Sequence, residues 1–164
     1  VNKQRVRVKD SFTQIWWMSK TPHPYANNRN VAEPYSRQMK KLLSSGKYNS
    51  GTRPSEHTIS QTAFSIDNGG AIPSNVIIAA NTTSNDIYII KCKEHKLPIH
   101  PARMAPAIPE FFINFLTRPG DIVLDCFAGS NTTGATAEKL GREWISIEID
   151  RDYYEGSKYR LGRK

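Results

Sequence analysis

The chain has 164 residues, enough for one domain with a real core or for one lobe of a larger fold. It holds no apolar run near the about 20 residues that a membrane span needs, and no secretory signal, which argues against a membrane protein and for the cytoplasm. The net charge of +8 is uneven: residues 1–60 hold 11 Lys/Arg against three Asp/Glu, while residues 61–164 hold 12 of each, so a polyanion-binding surface is expected toward the N-terminus.

Residues 12–18, FTQIWWM, are aromatic and β-branched, which predicts a strand. Pro22 and Pro24 then lead into a polar loop with Asn27, Asn28, Arg29 and Asn30. These could line a ligand pocket or form an Asn-rich turn. Residues 36–46 predict a helix, with Ser36 as N-cap, Met39, Leu42 and Leu43 on one face, and Gly46 as terminator. Residues 47–75 carry Gly, Pro, Ser and Asn throughout. Such long loop-rich insertions are usually functional or disordered.

The short apolar runs 76–80 (VIIAA) and 87–90 (IYII) predict strand or extended chain. Cys92 and Cys126 belong to no CxxC or Cys/His cluster, so two free thiols and no metal site are expected. Residues 108–118 make the clearest helix. Pro109 suits its first turn, and Ile108, Phe111, Phe112, Phe115 and Leu116 follow one apolar stripe. Pro119-Gly120 gives a turn. Strand 121–125, helix 132–140 closed by Gly141, strand 144–149 and a helix near 152–161 complete a Rossmann-like α/β arrangement with a parallel pair.

The stretch IVLDCFAGSNTTG (122–134) concentrates the chemistry. Its strand is continuously apolar, as expected when both sheet faces are covered. Asp125 stands at the carboxyl end, where ligands bind in open α/β sheets. Ala128, Gly129 and Ser130 are small enough for the backbone to pass close to a bulky ligand. Thr132 or Thr133 can cap the next helix. Glu148 ends the second strand 19 residues past Gly129, the distance at which an acidic residue takes ribose hydroxyls. The loop lacks the GxGxxG that a pyrophosphate needs, so a nucleoside without phosphate fits better than a dinucleotide.

DCFAGSNTTG resembles the cofactor loop of the amino-group DNA methyltransferases of restriction–modification systems, in the permuted class whose cofactor motifs lie C-terminal. The block HPARMAPAIPEFFINFLTRPGD (100–121) resembles that class's second cofactor motif, with Met104 where an aromatic is usual. DNGGAIPSNVI (67–77) and RPSEH (53–57) resemble the cytosine-N4 branch. The resemblance implies a partial Rossmann-like methyltransferase fold and S-adenosylmethionine as cofactor. By matching position, Asp125, Phe127, Gly129 and Ser130 would shape the pocket, and Glu148 would hold the ribose. His100, Pro101, Ala102 and Arg103, with Thr132 and Thr133, would lie near the methionine end. For Arg103 a structural ion pair is the alternative, and for Phe127 a place in the core.

The family's chemistry centres on Ser- or Asp-Pro-Pro-Tyr, which binds the amine of a flipped base. The chain holds no Pro-Pro pair, so no catalytic residue is assigned. Thr-Pro-His-Pro-Tyr (21–25) and Glu-Pro-Tyr (33–35) have the wrong form. The chain therefore resembles the C-terminal half of such an enzyme, either a natural split subunit or a truncation, and its leading Val fits both. Residues 1–34 would be a strand block of the core, 35–75 the target-recognition segment and 76–164 the cofactor-binding part. Double-stranded DNA would meet Arg37, Lys40, Lys41, Lys47, Arg53 and His57. The expected protein partner is an N-terminal half or second subunit, with a homodimer as the other option. An exposed apolar edge at Trp16–Trp17 would be an association surface. The expected reaction is cytosine-N4 methylation. The alternatives are an adenine-N6 half, a non-catalytic DNA-binding remnant of the fold, or a different nucleotide enzyme such as a NAD-dependent one.

Overall fold

The computed structural model describes residues 12–47, 50–60, 64–80 and 86–162. The first helix, α1 (Arg37–Ser45), forms as its ends dictate. Ser36 Oγ accepts the Met39 N–H, and Gly46 leaves the helix at φ +62°. Met39, Leu42 and Leu43 are half-buried, whereas Arg37, Lys40 and Lys41 are exposed. The loop-rich insertion holds a small antiparallel pair, β1 (Gly51–Thr52) with β2 (Thr58–Ile59), and a single bridge joins Glu33 to Ala71.

Two expectations about strands are corrected. Residues 12–18 form no strand, because a strand needs a ladder and none of the described residues pairs with them. Instead Trp17 meets Phe115 edge-on at 5.6 Å, and Trp16 remains 79 % exposed. The run 87–90 is helical, opening α2 (Ile87–Glu94). Asp86 Oδ1 caps it by accepting the Tyr88 N–H, and Tyr88 and Cys92 are buried together at the i, i+4 spacing of a helix. Residues 76–80 adopt no regular element.

The helix α3 (Ala107–Leu116) follows its apolar stripe, with Pro109 in the first turn and Ile113 buried. Its neighbours are α4 (Thr132–Lys139) and the 3-10 turn Asn28–Val31. The polar loop is thereby fixed as a capped turn. Asn27 N–H donates to Phe115 O at 2.8 Å, Asn27 Oδ1 caps Arg29, and Asn30 Nδ2 donates to Asn114 O.

The strands β3 (Ile122–Asp125) and β4 (Glu143–Ser146) pair in parallel, with Leu124 opposite Ile145, as the helix between them requires. This α/β unit packs α4 over one face, where Val123, Asp125, Trp144 and Ser146 are half-buried. The expectation of a sheet covered on both faces is not met. Ile122, Leu124, Ile145 and Ile147 are exposed on the opposite face, because the described residues supply a helical layer to one side only.

The last helix is shorter than its pattern: α5 (Arg151–Ser157) passes into a 3-10 turn, Lys158–Leu161. Both pack on α2, whose Tyr88, Ile89 and Cys92 form a core cluster with Leu97 and Ile99. Full burial of one such side chain contributes on the order of 2 kcal/mol. Gly156 admits this close contact, since a Cβ there would stand 2.9 Å from Cys92 Sγ. Burial pushes the Tyr88 hydroxyl and the Cys92 thiol above their ordinary pKa values, which keeps both protonated. Among the described residues, no helix is long and apolar enough to cross a membrane.

Candidate functional site

The loop after β3 is held from below by β4 and its extension. Ile147 N–H donates to Asp125 O at 2.8 Å, and Ala128 N–H donates to Ile147 O at 3.0 Å. Asp125 Oδ1 accepts the Phe127 N–H at 3.0 Å, which turns the chain sharply at the strand tip. Phe127 is thereby thrown outward and is 92 % exposed, so it has no place in the core. Its ring is a free apolar plate beside the loop.

Glu148 closes the arrangement. Its Oε2 accepts the Gly129 N–H at 2.7 Å and its Oε1 accepts the Asp150 N–H at 2.9 Å. Each carboxylate oxygen can take two hydrogen bonds, so both keep capacity for a hydroxyl donor. Gly129 sits at φ +50°, in the left-handed region, and a Cβ on it would stand 3.1 Å from the His100 imidazole. That close approach brings the 100–103 segment onto the loop. His100 Nδ1–H donates to Ala102 O at 2.9 Å, its ring meets Tyr153 edge-on at 4.6 Å, and Arg103 Nη1 donates to His100 O at 2.9 Å. Arg103 thus braces its own turn through a carbonyl. Pro101 and Ala102 are exposed at that turn.

The helix cap differs from expectation. Neither threonine caps α4; Asn131 does, at φ +54°, with Oδ1 accepting from Gly134 N–H at 3.1 Å and Ser146 Oγ at 2.7 Å. Asparagine tolerates the left-handed region and caps well, a signal readable in GSNTTG. Thr132 is buried, with its hydroxyl 3.2 Å from Ser130 Oγ, and Thr133 is half-buried in the first turn of α4. Gly134 is required by space: a Cβ there would stand 2.8 Å from Trp144 Cε3 and 2.9 Å from Ser146 Oγ.

Sequence reasoning missed one residue near the loop. Arg160 Nε donates to Ser130 O at 2.8 Å, and its Nη1 pairs with Asp86 Oδ2 at 2.8 Å. No spacing announces contacts 30 and 74 residues apart. An open cleft beside the loop is lined by Pro106, Glu110, Thr132, Thr136, Lys139 and Arg160.

The basic candidates lie on other elements. Arg37, Lys40 and Lys41 occupy one exposed face of α1, and Lys47 follows its end. Arg53 and His57 face each other across the β1–β2 turn, where Arg53 N–H donates to His57 O at 2.9 Å. Among the described residues, no group of three His, Cys, Asp or Glu could hold a metal ion.

As a set, the loop offers small residues and a forced close approach at Gly129, Asp125 at the tip of β3, Glu148 two residues past the end of a β4 shorter than the expected 144–149, an exposed aromatic, and an imidazole wall. These suit an uncharged nucleoside body with a hydroxylated sugar, and they supply no pyrophosphate cradle.

A family model described as DNA methylase matches residues 1–159. The chain is 46 % identical over 163 residues to the Type II methyltransferase M.PvuII of Proteus hauseri, covering 98 % of this chain and 48 % of that protein. It is 47 % identical over 62 residues to the DNA adenine methyltransferase YhdJ of Escherichia coli (strain K12), covering 38 % of this chain and 21 % of that protein. Among solved structures it resembles PvuII DNA methyltransferase (cytosine-N4-specific), with a TM-score of 0.53 and 46 % identity over 55 % of this chain and 32 % of that one. The chain thus spans about half the length of M.PvuII.

Proposed function

Because the chain belongs to the DNA methylase family, we propose that it is the cofactor-binding and target-recognition part of a site-specific DNA methyltransferase. S-adenosylmethionine would be the methyl donor, and the exocyclic amine of a base, cytosine N4, the acceptor. The cofactor supplies an electrophilic methyl on sulfonium. The chain's own residues would bind and orient it. Glu148 would take the ribose hydroxyls while holding Gly129, Phe127 would lie against the adenine, and Asp125 would accept from the ligand at the strand tip. His100 to Arg103, with Ser130, Thr132 and Thr133, would line the methionine end.

The observation that carries this reading is the close approach of His100 to Gly129, with the Glu148 carboxylate bonded to the same residue. Cytosine is favoured over adenine because the likeness to M.PvuII runs over 98 % of the chain, and the likeness to the adenine enzyme over 38 %.

Residues 76–164 would be the cofactor part, a piece of a Rossmann-like sheet, and 1–34 a segment of the core. Residues 35–75 would contact DNA through Arg37, Lys40, Lys41, Lys47, Arg53 and His57. The given sequence carries no Pro-Pro-Tyr, so the group that holds the base amine would come from a segment outside it, on the same polypeptide or on a second one. The docking face for that segment would be the bare side of β3 and β4, with Ile122, Leu124, Ile145 and Ile147, since a parallel pair normally has both faces covered.

The test is reconstitution. The chain is mixed with the N-terminal half of a cytosine-N4 relative, and tritiated methyl transfer to duplex DNA is measured with product base analysis. N4-methylcytosine is the expected product, and N6-methyladenine would reverse the base assignment. Cofactor binding without transfer in any pairing would leave a DNA-binding remnant of the fold as the better reading.

A further inference from the structure

Asp86, Tyr88 and Arg160 form one buried polar cluster between α2 and the C-terminal 3-10 turn. Arg160 and Asp86 pair at 2.8 Å with side chains only 9 % and 14 % exposed. The same guanidinium donates through Nε to Ser130 O at 2.8 Å and lies 5.0 Å from the centre of the Tyr88 ring. Tyr88 Oη accepts the His100 N–H at 2.9 Å, and Asp86 Oδ1 caps the amide of Tyr88. The cluster therefore grips the backbone on both sides of the pocket: a carbonyl of the loop after β3 and an amide of the 100–103 segment. These are the two segments that meet where His100 lies on Gly129.

We infer that Arg160, anchored by Asp86 and Tyr88, is a positioning residue for S-adenosylmethionine, holding the Ser130 carbonyl and the His100 amide in one frame. This rests on the cofactor reading above. The loop needs such a hold. Gly129 and Asn131 both stand in the left-handed region within three residues, and a glycine there has other conformations open to it. Glu148 and Ile147 hold the Gly129 and Ala128 amides from the β4 side, and Arg160 holds the Ser130 carbonyl from the C-terminal turn. A planar guanidinium reaches a carboxylate and a carbonyl in fixed directions at once, which an ammonium does less well. Without it, the peptide unit of Ser130 keeps only the Asn131 N–H bond to Ala128 O at 2.7 Å, and its carbonyl loses its anchor to the C-terminal turn. Arg160 acts through Ser130 and His100 and is assigned no contact with the cofactor.

The experiment is titration calorimetry of S-adenosylmethionine against the protein and its Arg160→Lys, Arg160→Met and Tyr88→Phe variants. Each is measured well below its own melting temperature, which circular dichroism supplies. Positioning raises Kd about tenfold or more in Arg160→Met and in Tyr88→Phe while both are folded, with partial rescue in Arg160→Lys. A brace that serves stability alone lowers Tm and leaves Kd unchanged in the folded variants, and that result overturns the inference. If Arg160→Met does not fold, Tyr88→Phe decides, since it deletes one oxygen. Absence of binding by the unsubstituted protein overturns the cofactor reading, and the positioning role with it, before any variant is made.

Discussion

Glu148 Oε2 accepts the Gly129 N–H at 2.7 Å, so the carboxylate assigned to the ligand also holds the loop that would cradle it. The two roles separate experimentally. Glu148→Ala loses two bonds to backbone amides and should cost about 1.5–3 kcal/mol of stability, together with at least about tenfold in S-adenosylmethionine affinity. Asp125→Ala loses one such bond and should cost about 1 kcal/mol, with a similar loss of affinity. Urea unfolding and calorimetry measure both. Unchanged affinity in the two variants would remove these carboxylates from the site.

Gly134→Ala should destabilise, against helix propensity. Alanine normally gains about 1 kcal/mol over glycine within a helix. Here the added methyl would meet Trp144, Ser146 and Asn131 Oδ1, all in contact range of the α4–β4 interface. Overpacking of this kind costs about 1–3 kcal/mol. A higher Tm for Gly134→Ala would contradict the packing of α4 on β4.

Stability should fall at alkaline pH. The Cys92 thiol has a folded pKa raised by burial, and so does the Tyr88 hydroxyl beside it. A raised folded pKa means that the stabilisation is complete below the unfolded pKa, about 8.5 for a thiol, and is lost as pH rises beyond it. The limiting slope is about 1.4 kcal/mol per pH unit for each group. Urea midpoints between pH 7 and 10.5 should decline from the thiol range upward. Cys92→Ala should flatten the first part of that decline.

Leu124→Gln with Ile145→Thr should change the unfolding free energy of the chain alone by no more than about 0.5 kcal/mol, as both side chains are exposed. The same pair should abolish reconstitution with a complementing half if the bare sheet face is its dock. Full methyl transfer by the double variant would move the dock elsewhere.

Lys40→Ala and Lys41→Ala should weaken DNA binding uniformly across sequences. Each should lower the slope of log affinity against log salt by about one, provided each meets a phosphate. Both sit on the exposed face of α1, where no residue is buried, so helix stability should barely change. An unaltered salt slope would take α1 out of the DNA contact.

Several local signals that act within one turn or one strand were legible. Ser36 and Gly46 bound α1 as read, the stripe of α3 was plain, and the strand–helix–strand unit around residues 122–146 pairs in parallel as read. The run IYII was not legible as a helix. A short apolar run fits a strand or a buried helix equally, and only the burial of Tyr88 with Cys92 separates them. Residues 12–18 have strand composition but no ladder partner among the described residues, and composition does not supply one.

The sequence by itself determined the loop chemistry: small residues after an apolar strand, an acid at its tip and a second acid 19 positions past Gly129. Those follow from chain-local sterics and strand spacing. The tertiary structure decided what holds the loop. Glu148 spends one lone pair of each oxygen on backbone. Arg160 reaches back 30 residues to Ser130 and 74 to Asp86. Such contacts depend on where α2 and the C-terminal turn pack, and burial geometry sets that. The uncovered face of β3 and β4 has the same origin, for whether a strand's second side meets a helix is a property of the layers around it.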